Sequence, residues 1–494
     1  GKEGWRIFRH ALGTDPTGDA LVFGEGRPPE QILQADLSPD GRQLAVYVRH
    51  GVSDDKVEVW VQDLVAKGPF SPIVDDLDAS FYGLMADGHL FLRTNWKAPR
   101  WRIFDINLSD LKAAARDRSR WREVVPESAA VLTDFSLVGG KIVASYLENV
   151  SSRIRVFEPS GRLAREIPLP TLGSTGDLRG SWDSDEAFYG FTSFVTPPLV
   201  YRVSVATGRQ EIWQKPAVPA AGAEIEVRQV WYPSKDGTRV PMFLVMKKGA
   251  PLDGDRPTWM TGYGGFNISL SPYYDPEIAL WVEAGGVFAQ PNLRGGGELG
   301  EEWHRAGMLD RKQNTFDDFD AAAEWLVANR YTRPARLAIQ GGSNGGLLVG
   351  AAITQRPDLF QAAIAEFPLL DMVRYHRFLV ANRWIPEYGS ADDEKQFQVL
   401  YRYSPYHHVV DGTKYPAVLL VTGDADTRVA PLHARKMAAR LQAATASERP
   451  ILLQYALKAG HSGGLSREAA LAETADQMAF LFWQLGVKPL PPQP

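Results

Sequence analysis

Residues 1–215 carry short alternating or continuous apolar runs broken by Asp, Gly, Asn and Pro, the pattern of β-strands joined by tight turns. Four stretches resemble one another: Asp40–Val48, Asp87–Leu92, Gly139–Tyr146 and Asp185–Phe191 each read as a turn leading into a strand. A second strand follows each, at Val57–Val61, Trp101–Asp105, Arg153–Phe157 and Leu199–Val203. The starts recur every roughly 46–52 residues, the period of four-stranded propeller blades. A β-sandwich would space its strands regularly but without so long a period. An opening piece, Trp5–His10, reads as the tail of another blade. Four repeats and that piece make a partial ring, which would leave strand edges bare. The expectation for residues 1–215 is therefore an all-β propeller domain that is incomplete in this chain, with later blades only. An upstream segment or a separate chain would complete it.

The pattern changes after a Pro- and Ala-rich linker, residues 216–223. A hairpin is predicted from Glu224 to Trp231 and from Arg239 to Lys247, turning near Asp236-Gly237. Beyond it, strand-like runs at Pro257–Met260, Gly286–Ala289, Leu337–Gln340, Ala417–Val421 and Ile451–Tyr455 alternate with helical spacing. The helices fit Phe316–Asn329, Leu347–Thr354, Leu432–Ala443 and Arg467–Gln484, the first with Thr315 as cap and Asp318 closing a capping box. Such alternation implies a doubly wound, mostly parallel sheet covered on both faces over residues 224–494. Chemistry in these sheets sits at the C-terminal ends of the strands.

Composition narrows the classes. The chain is 44% hydrophobic and 23% charged with a net charge of −5, ordinary for a globular protein in an aqueous compartment, cytoplasmic or periplasmic. No basic stripe marks a nucleic-acid partner. No apolar run approaches the roughly 18 residues a membrane span needs. The beginning, Gly1-Lys2-Glu3-Gly4-Trp5, resembles neither a signal peptide nor a natural start, which again suggests missing upstream sequence. The absence of cysteine excludes disulfides, thiolate metal sites and a cysteine nucleophile. His407-His408 is a poor metal pair, because neighbours on an extended segment point apart and no carboxylate motif accompanies them. No cofactor or metal is expected.

One stretch carries chemistry. Gly341-Gly342-Ser343-Asn344-Gly345-Gly346 lies between a predicted strand and a predicted helix, the setting of a nucleophile elbow. Glycines are needed because side chains would clash in so tight a turn. The turn exposes the serine hydroxyl and lets the N–H of Asn344 face a developing oxyanion. An α/β-hydrolase places an acid and then a histidine downstream. Asp424 and Asp426 follow the strand at Ala417–Val421, and His461 follows the strand at Ile451–Tyr455 in a Gly-rich loop. Position alone does not choose between the two aspartates. His433, on an amphipathic helix, reads as structural.

With these residues placed, the chain resembles the prolyl oligopeptidase family of serine peptidases. Residues 224–485 resemble its catalytic domain and residues 1–215 the later blades of its propeller. The resemblance is carried by Gly262–Ser269, Asn292–Glu298, Gly341–Val349, Asp424–His433 and Ala459-Gly460-His461. It implies that the triad is Ser343, Asp426 and His461, and that a tyrosine hydroxyl, here Tyr263, joins the Asn344 N–H in the oxyanion hole. It further implies that Trp384 stacks on a substrate proline ring, that Tyr388 and Val429 line the same pocket, that Phe266 belongs to an outer subsite, and that Arg428 grips a substrate carbonyl. The activity it implies is cleavage of short proline-containing peptides after proline. The rivals are a sister oligopeptidase of different specificity, resembling oligopeptidase B or acylaminoacyl peptidase, a lipase or general esterase, and a silent propeller scaffold.

Overall fold

The computed structural model describes residues 4–51, 56–217, 224–461 and 463–488. The chain divides into two compact units, Gly1–Phe191 with Leu199–Lys215, and Thr192–Pro198 with Pro216–Pro494. Most of the predicted linker, residues 218–223, lies outside the described residues.

The first unit is built from antiparallel meanders, the form of propeller blades. Strands Ile32–Leu37, Gln43–Arg49, Val57–Asp63 and Ser71–Val74 pair in that order. So do Phe81–Ala86, His89–Thr94, Arg102–Asn107 and Arg122–Val125, and then Val131–Val138, Lys141–Glu148, Ser151–Phe157 and Leu163–Ile167. A last sheet is centred on Glu186–Thr192, Leu199–Ser204 and Gln210–Gln214. All eight strands read from the repeats are present. Their tight turns explain the recurring Asp/Gly pairs: Asp87 and Gly88 sit at φ 49° and 73°, and Gly139 and Gly140 at 58° and 66°, the two left-handed positions of a hairpin turn. Neighbouring sheets share cores, one joining Val57 and Val59 to Phe81, Leu90 and Trp121, another joining Val143 and Ile154 to Tyr189 and Phe191. The opening piece forms a two-stranded sheet, Ile7–Arg9 with Ala20–Phe23.

The second unit is an eight-stranded sheet. Its strands are β1 (Ile225–Pro233), β2 (Arg239–Lys247), β3 (Thr258–Thr261), β4 (Val287–Pro291), β5 (Leu337–Gly342), β6 (Ala362–Glu366), β7 (Ala417–Gly423) and β8 (Ile451–Ala456). They lie in the order β1-β2-β4-β3-β5-β6-β7-β8, antiparallel through β4 and parallel thereafter. The main helices are α1 (Pro276–Glu283), α2 (Gln313–Ala328), α3 (Asn344–Gln355), α4 (Leu432–Ala444) and α5 (Arg467–Leu485). Strands β4 and β7 are buried along their whole length, as expected of a sheet covered on both faces. The chain leaves β3 for β4 on one side and returns to β5 on the other. That reversal places a crevice at the C-terminal ends of β3 and β5. Among the described residues, no helix is long and apolar enough to cross a membrane.

Three local readings need correction. Strand β6 was not anticipated, because Ala-Ala-Ile-Ala has little strand propensity and lies in the sheet through its neighbours. Helix α1 was also missed, although Asp275 caps it by accepting the Glu277 amide and Pro276 occupies its first turn. Helix α2 begins at Gln313, so Thr315 is not its cap. The Thr315 hydroxyl donates to the Arg294 carbonyl at 2.8 Å, and Asp318, fully buried, binds the Arg294 guanidinium and accepts from the Ser234 hydroxyl. Tertiary partners outcompeted the local capping box.

Candidate active site

Ser343 alone turns the chain from β5 into α3. Its backbone sits at φ 57° and ψ −115°, a conformation costing on the order of 1–3 kcal/mol for a residue with a Cβ. Flanking hydrogen bonds hold it there. The Ser343 amide donates to the Glu366 carbonyl at 2.8 Å, and its carbonyl accepts from the amides of Gly346 and Leu347. The glycine requirement is steric: a Cβ at Gly341 would lie 2.5 Å from the Gly345 carbonyl oxygen, and one at Gly346 would lie 2.7 Å from the Pro368 Cα.

The acid and histidine follow β7 and β8, strands adjacent in the sheet. The Nδ1 atom of His461 lies 2.8 Å from Oδ2 of Asp426. The other carboxylate oxygen of Asp426 accepts the amides of Arg428 at 2.8 Å and Val429 at 2.9 Å. Of the two aspartates left open by position, Asp426 is the one the fold brings to His461. Asp424 is exposed and takes the hydroxyl of Tyr455. The His461 ring also packs against Phe367, centroid to centroid 5.4 Å. His433 stands elsewhere: its Nδ1 accepts the amides of Leu370 and Asp371, and burial pushes its pKa down to about 4. His407 meets the Ser404 hydroxyl and His408 the Tyr401 carbonyl, so the two diverge.

Tyr263 follows β3, and its phenol lies near the Ser343 side chain. Burial raises its pKa, against a weaker opposing pull from the neighbouring Ser343 and from the charge of Arg428. The phenol therefore keeps its proton at neutral pH. The Tyr263 carbonyl accepts Nδ2 of Asn344 at 2.5 Å, and Asn344 Oδ1 accepts the Tyr388 hydroxyl at 2.8 Å. Asn344 thus uses its side chain as a brace, while its amide is one of the first of α3, which lack partners inside the helix.

Two of the remaining predicted residues, Phe266 and Arg428, lie close to Tyr388 and Tyr263 respectively. Phe266 is half-buried and meets Tyr388 edge to face at 5.4 Å. Arg428 is exposed and close enough to Tyr263 for its charge to act on the phenol. Trp384 is 7% exposed, on a short helical segment that runs on through Tyr388. Tyr388 at 1% and Val429 at 2% are nearly sealed. Sequence reasoning missed three charged residues beneath them, His304, Lys312 and Glu387, all buried. Lys312 follows Asp310-Arg311 and reads as part of a solvated charge run, and nothing local betrays its burial.

Family models match both halves of the chain. Residues 2–216 match the prolyl oligopeptidase N-terminal β-propeller domain, and residues 272–488 match the prolyl oligopeptidase family. The chain belongs to the prolyl oligopeptidase family. It is 38% identical to a prolyl endopeptidase of Elizabethkingia miricola over 98% of this chain and 68% of that protein. A solved structure from a study of two prolyl endopeptidases superposes with a TM-score of 0.93 at 44% identity, over 99% of this chain and 71% of that one. Prolyl oligopeptidase B from Galerina marginata, solved with a 25-mer macrocyclization substrate, gives 0.91 at 31% identity, over 98% and 68%. Ser343, Trp384, Asp426 and His461 lie inside the matched peptidase span. Tyr263 and Phe266 precede it and enter the site through strand β3.

Proposed function

We propose that this member of the prolyl oligopeptidase family is a serine endopeptidase that hydrolyses short peptides on the carboxyl side of proline. The observation that carries the reading is the 2.8 Å pairing of His461 with Asp426, in the order and on the strands that a serine in an elbow requires. Ser343 Oγ attacks the carbonyl that follows the proline ring while His461 takes its proton. Asp426 holds the tautomer and stabilises the imidazolium. The oxyanion is received by the Asn344 amide and the Tyr263 hydroxyl. His461 passes its proton to the leaving amine, and water then releases the acyl group with the same base. Trp384 forms the wall against which proline lies, backed by Tyr388 and Val429. Phe266 serves an outer subsite, and Arg428 holds a substrate carbonyl. The names of the relatives, prolyl endopeptidase among them, support this specificity.

The proposed domains are 1–215, propeller, and 224–494, catalytic, with residues 216–223 as linker. The expectation that an upstream segment or a separate chain completes the ring draws no support from the comparisons and forms no part of this reading.

The test is turnover of a prolyl amide reporter by the wild type and by Ser343→Ala, with fluorophosphonate labelling of Ser343. Wild-type turnover that vanishes in the variant is expected, and full turnover by the variant overturns the reading. Faster cleavage after arginine than after proline would move the chain to an oligopeptidase B-like specificity. Failure to label would leave a scaffold.

A further inference from the structure

Lys312 is 0% exposed, a rare place for a lysine unless it is paired. Its ammonium donates to the Gly264 carbonyl at 2.8 Å and to Oε1 of Glu387 at 3.3 Å, and stands 5.5 Å from the Tyr388 ring centroid. Glu387, 1% exposed, meets Nε2 of His304 at 2.9 Å through its other oxygen and lies near the Phe266 backbone. His304 in turn faces Glu301 at 3.5 Å. Four charges of alternating sign therefore lie in a row beneath the site. None of them has a place in the reaction proposed above.

Their contacts close a ring. Lys312 holds Gly264, whose neighbour Tyr263 is held at its carbonyl by Asn344. Asn344 takes the hydroxyl of Tyr388, the residue after Glu387, and Glu387 returns to Lys312. The ring passes through the residue after Ser343, the residue bearing the phenol, and the segment bearing Trp384. In the loop that it clamps, the non-glycine residues Phe266 and Asn267 both sit at φ 58°. A bulky residue in that region needs surroundings that over-determine it. Glu387 lies beside the Phe266 backbone, and Lys312 holds the nearby Gly264 by its carbonyl.

We propose that Lys312 is a positioning residue for the oxyanion hole, acting through the Gly264 carbonyl and Glu387 to fix the Tyr263 hydroxyl against Ser343. This rests on the reading of Ser343 and Tyr263 given above. Lys312 touches no reacting atom. Its removal lets the phenol drift, and a displacement of about 1 Å in such a group can cost on the order of 10²-fold in rate.

The experiment is a double-mutant cycle on the full chain with the prolyl amide reporter. Lys312→Met is expected to lower kcat by about 10- to 100-fold, with KM changed less than about 3-fold. Tyr263→Phe lowers kcat by about 10²- to 10³-fold. In the Tyr263→Phe background, Lys312→Met is expected to cost less than about 3-fold, because the hydroxyl that it places is gone. Equal losses in the two backgrounds overturn the proposal and leave Lys312 a packing residue. Should the single variant fold poorly, Lys312→Met with Glu387→Gln removes both members of the pair and avoids stranding either charge. If that double variant melts cooperatively and keeps wild-type kcat, the proposal is wrong. A wild type that never turns over the reporter overturns the peptidase reading first, and this inference with it.

Discussion

Asp426 presents one oxygen to Nδ1 of His461 at 2.8 Å and gives the other to the amides of Arg428 and Val429 in its own loop. The imidazole is thereby oriented by a carboxylate that is itself fixed by the main chain. Asp426→Asn keeps the shape but offers an amide that can donate to the ring and favour the wrong tautomer. The expected loss in kcat on the prolyl amide reporter is about 10⁴-fold with little change in KM. A loss below about 10-fold would remove Asp426 from the triad.

Trp384→Ala tests the pocket wall separately from the chemistry. Stacking contributes on the order of 0.5–1.5 kcal/mol beyond area burial. The ratio of kcat/KM for a proline reporter over an alanine reporter is expected to fall about tenfold. Fluorophosphonate labelling of Ser343 should be kept. An unchanged ratio would make Trp384 a core residue only.

His304 gives a pH dependence to stability. Burial opposes its charge, yet the hydrogen bonds and charges of Glu301 and Glu387 prevail and lift its pKa from 6.5 to about 9. The folded protein therefore holds a proton that the unfolded chain has lost between those values, and its stabilisation is present in full below about pH 6.5 and fades as pH rises through about 9. The contribution is on the order of 3 kcal/mol. Denaturant unfolding from pH 6 to pH 10 should show the wild type losing stability more steeply than His304→Gln. Parallel curves would refute the pairing.

Arg294 carries the second buried ionic cluster, with Asp318 at 2.6 Å and Asp236 at 2.5 Å. Arg294→Met strands the Asp318 carboxylate, which is 0% exposed. Stability should fall by about 3–5 kcal/mol in denaturant unfolding. A fall under about 1 kcal/mol would mean that Asp318 finds another partner.

Much of this was legible in the chain because the physics involved is local. The Asp87-Gly88 and Gly139-Gly140 turns announce hairpins, and the glycines around Ser343 announce a turn too tight for side chains. Strand order gave the succession of serine, acid and histidine, but the choice of Asp426 over Asp424 came from resemblance, since both follow the same strand. What stayed hidden depends on partners distant in sequence. Thr315 and Asp318 spell a capping box, yet Arg294 claims both. Strand β6 has the composition of a helix and is a strand because its neighbours are. Lys312 and Glu387 look like surface charges, and only the folded chain shows them facing each other in the interior.

The amide of Ser343 is already engaged by the Glu366 carbonyl, so the nucleophile cannot help to cradle the negative oxygen that its own attack creates. In the reading proposed above, the cradle pairs the Asn344 amide with a hydroxyl borrowed from a loop on a different strand. On that reading, a molecule with its sheet and elbow intact but that loop undocked would still own a serine, an acid and a base, yet would work on the order of 10²- to 10³-fold more slowly. Competence would then be a property of one docked loop as much as of three side chains.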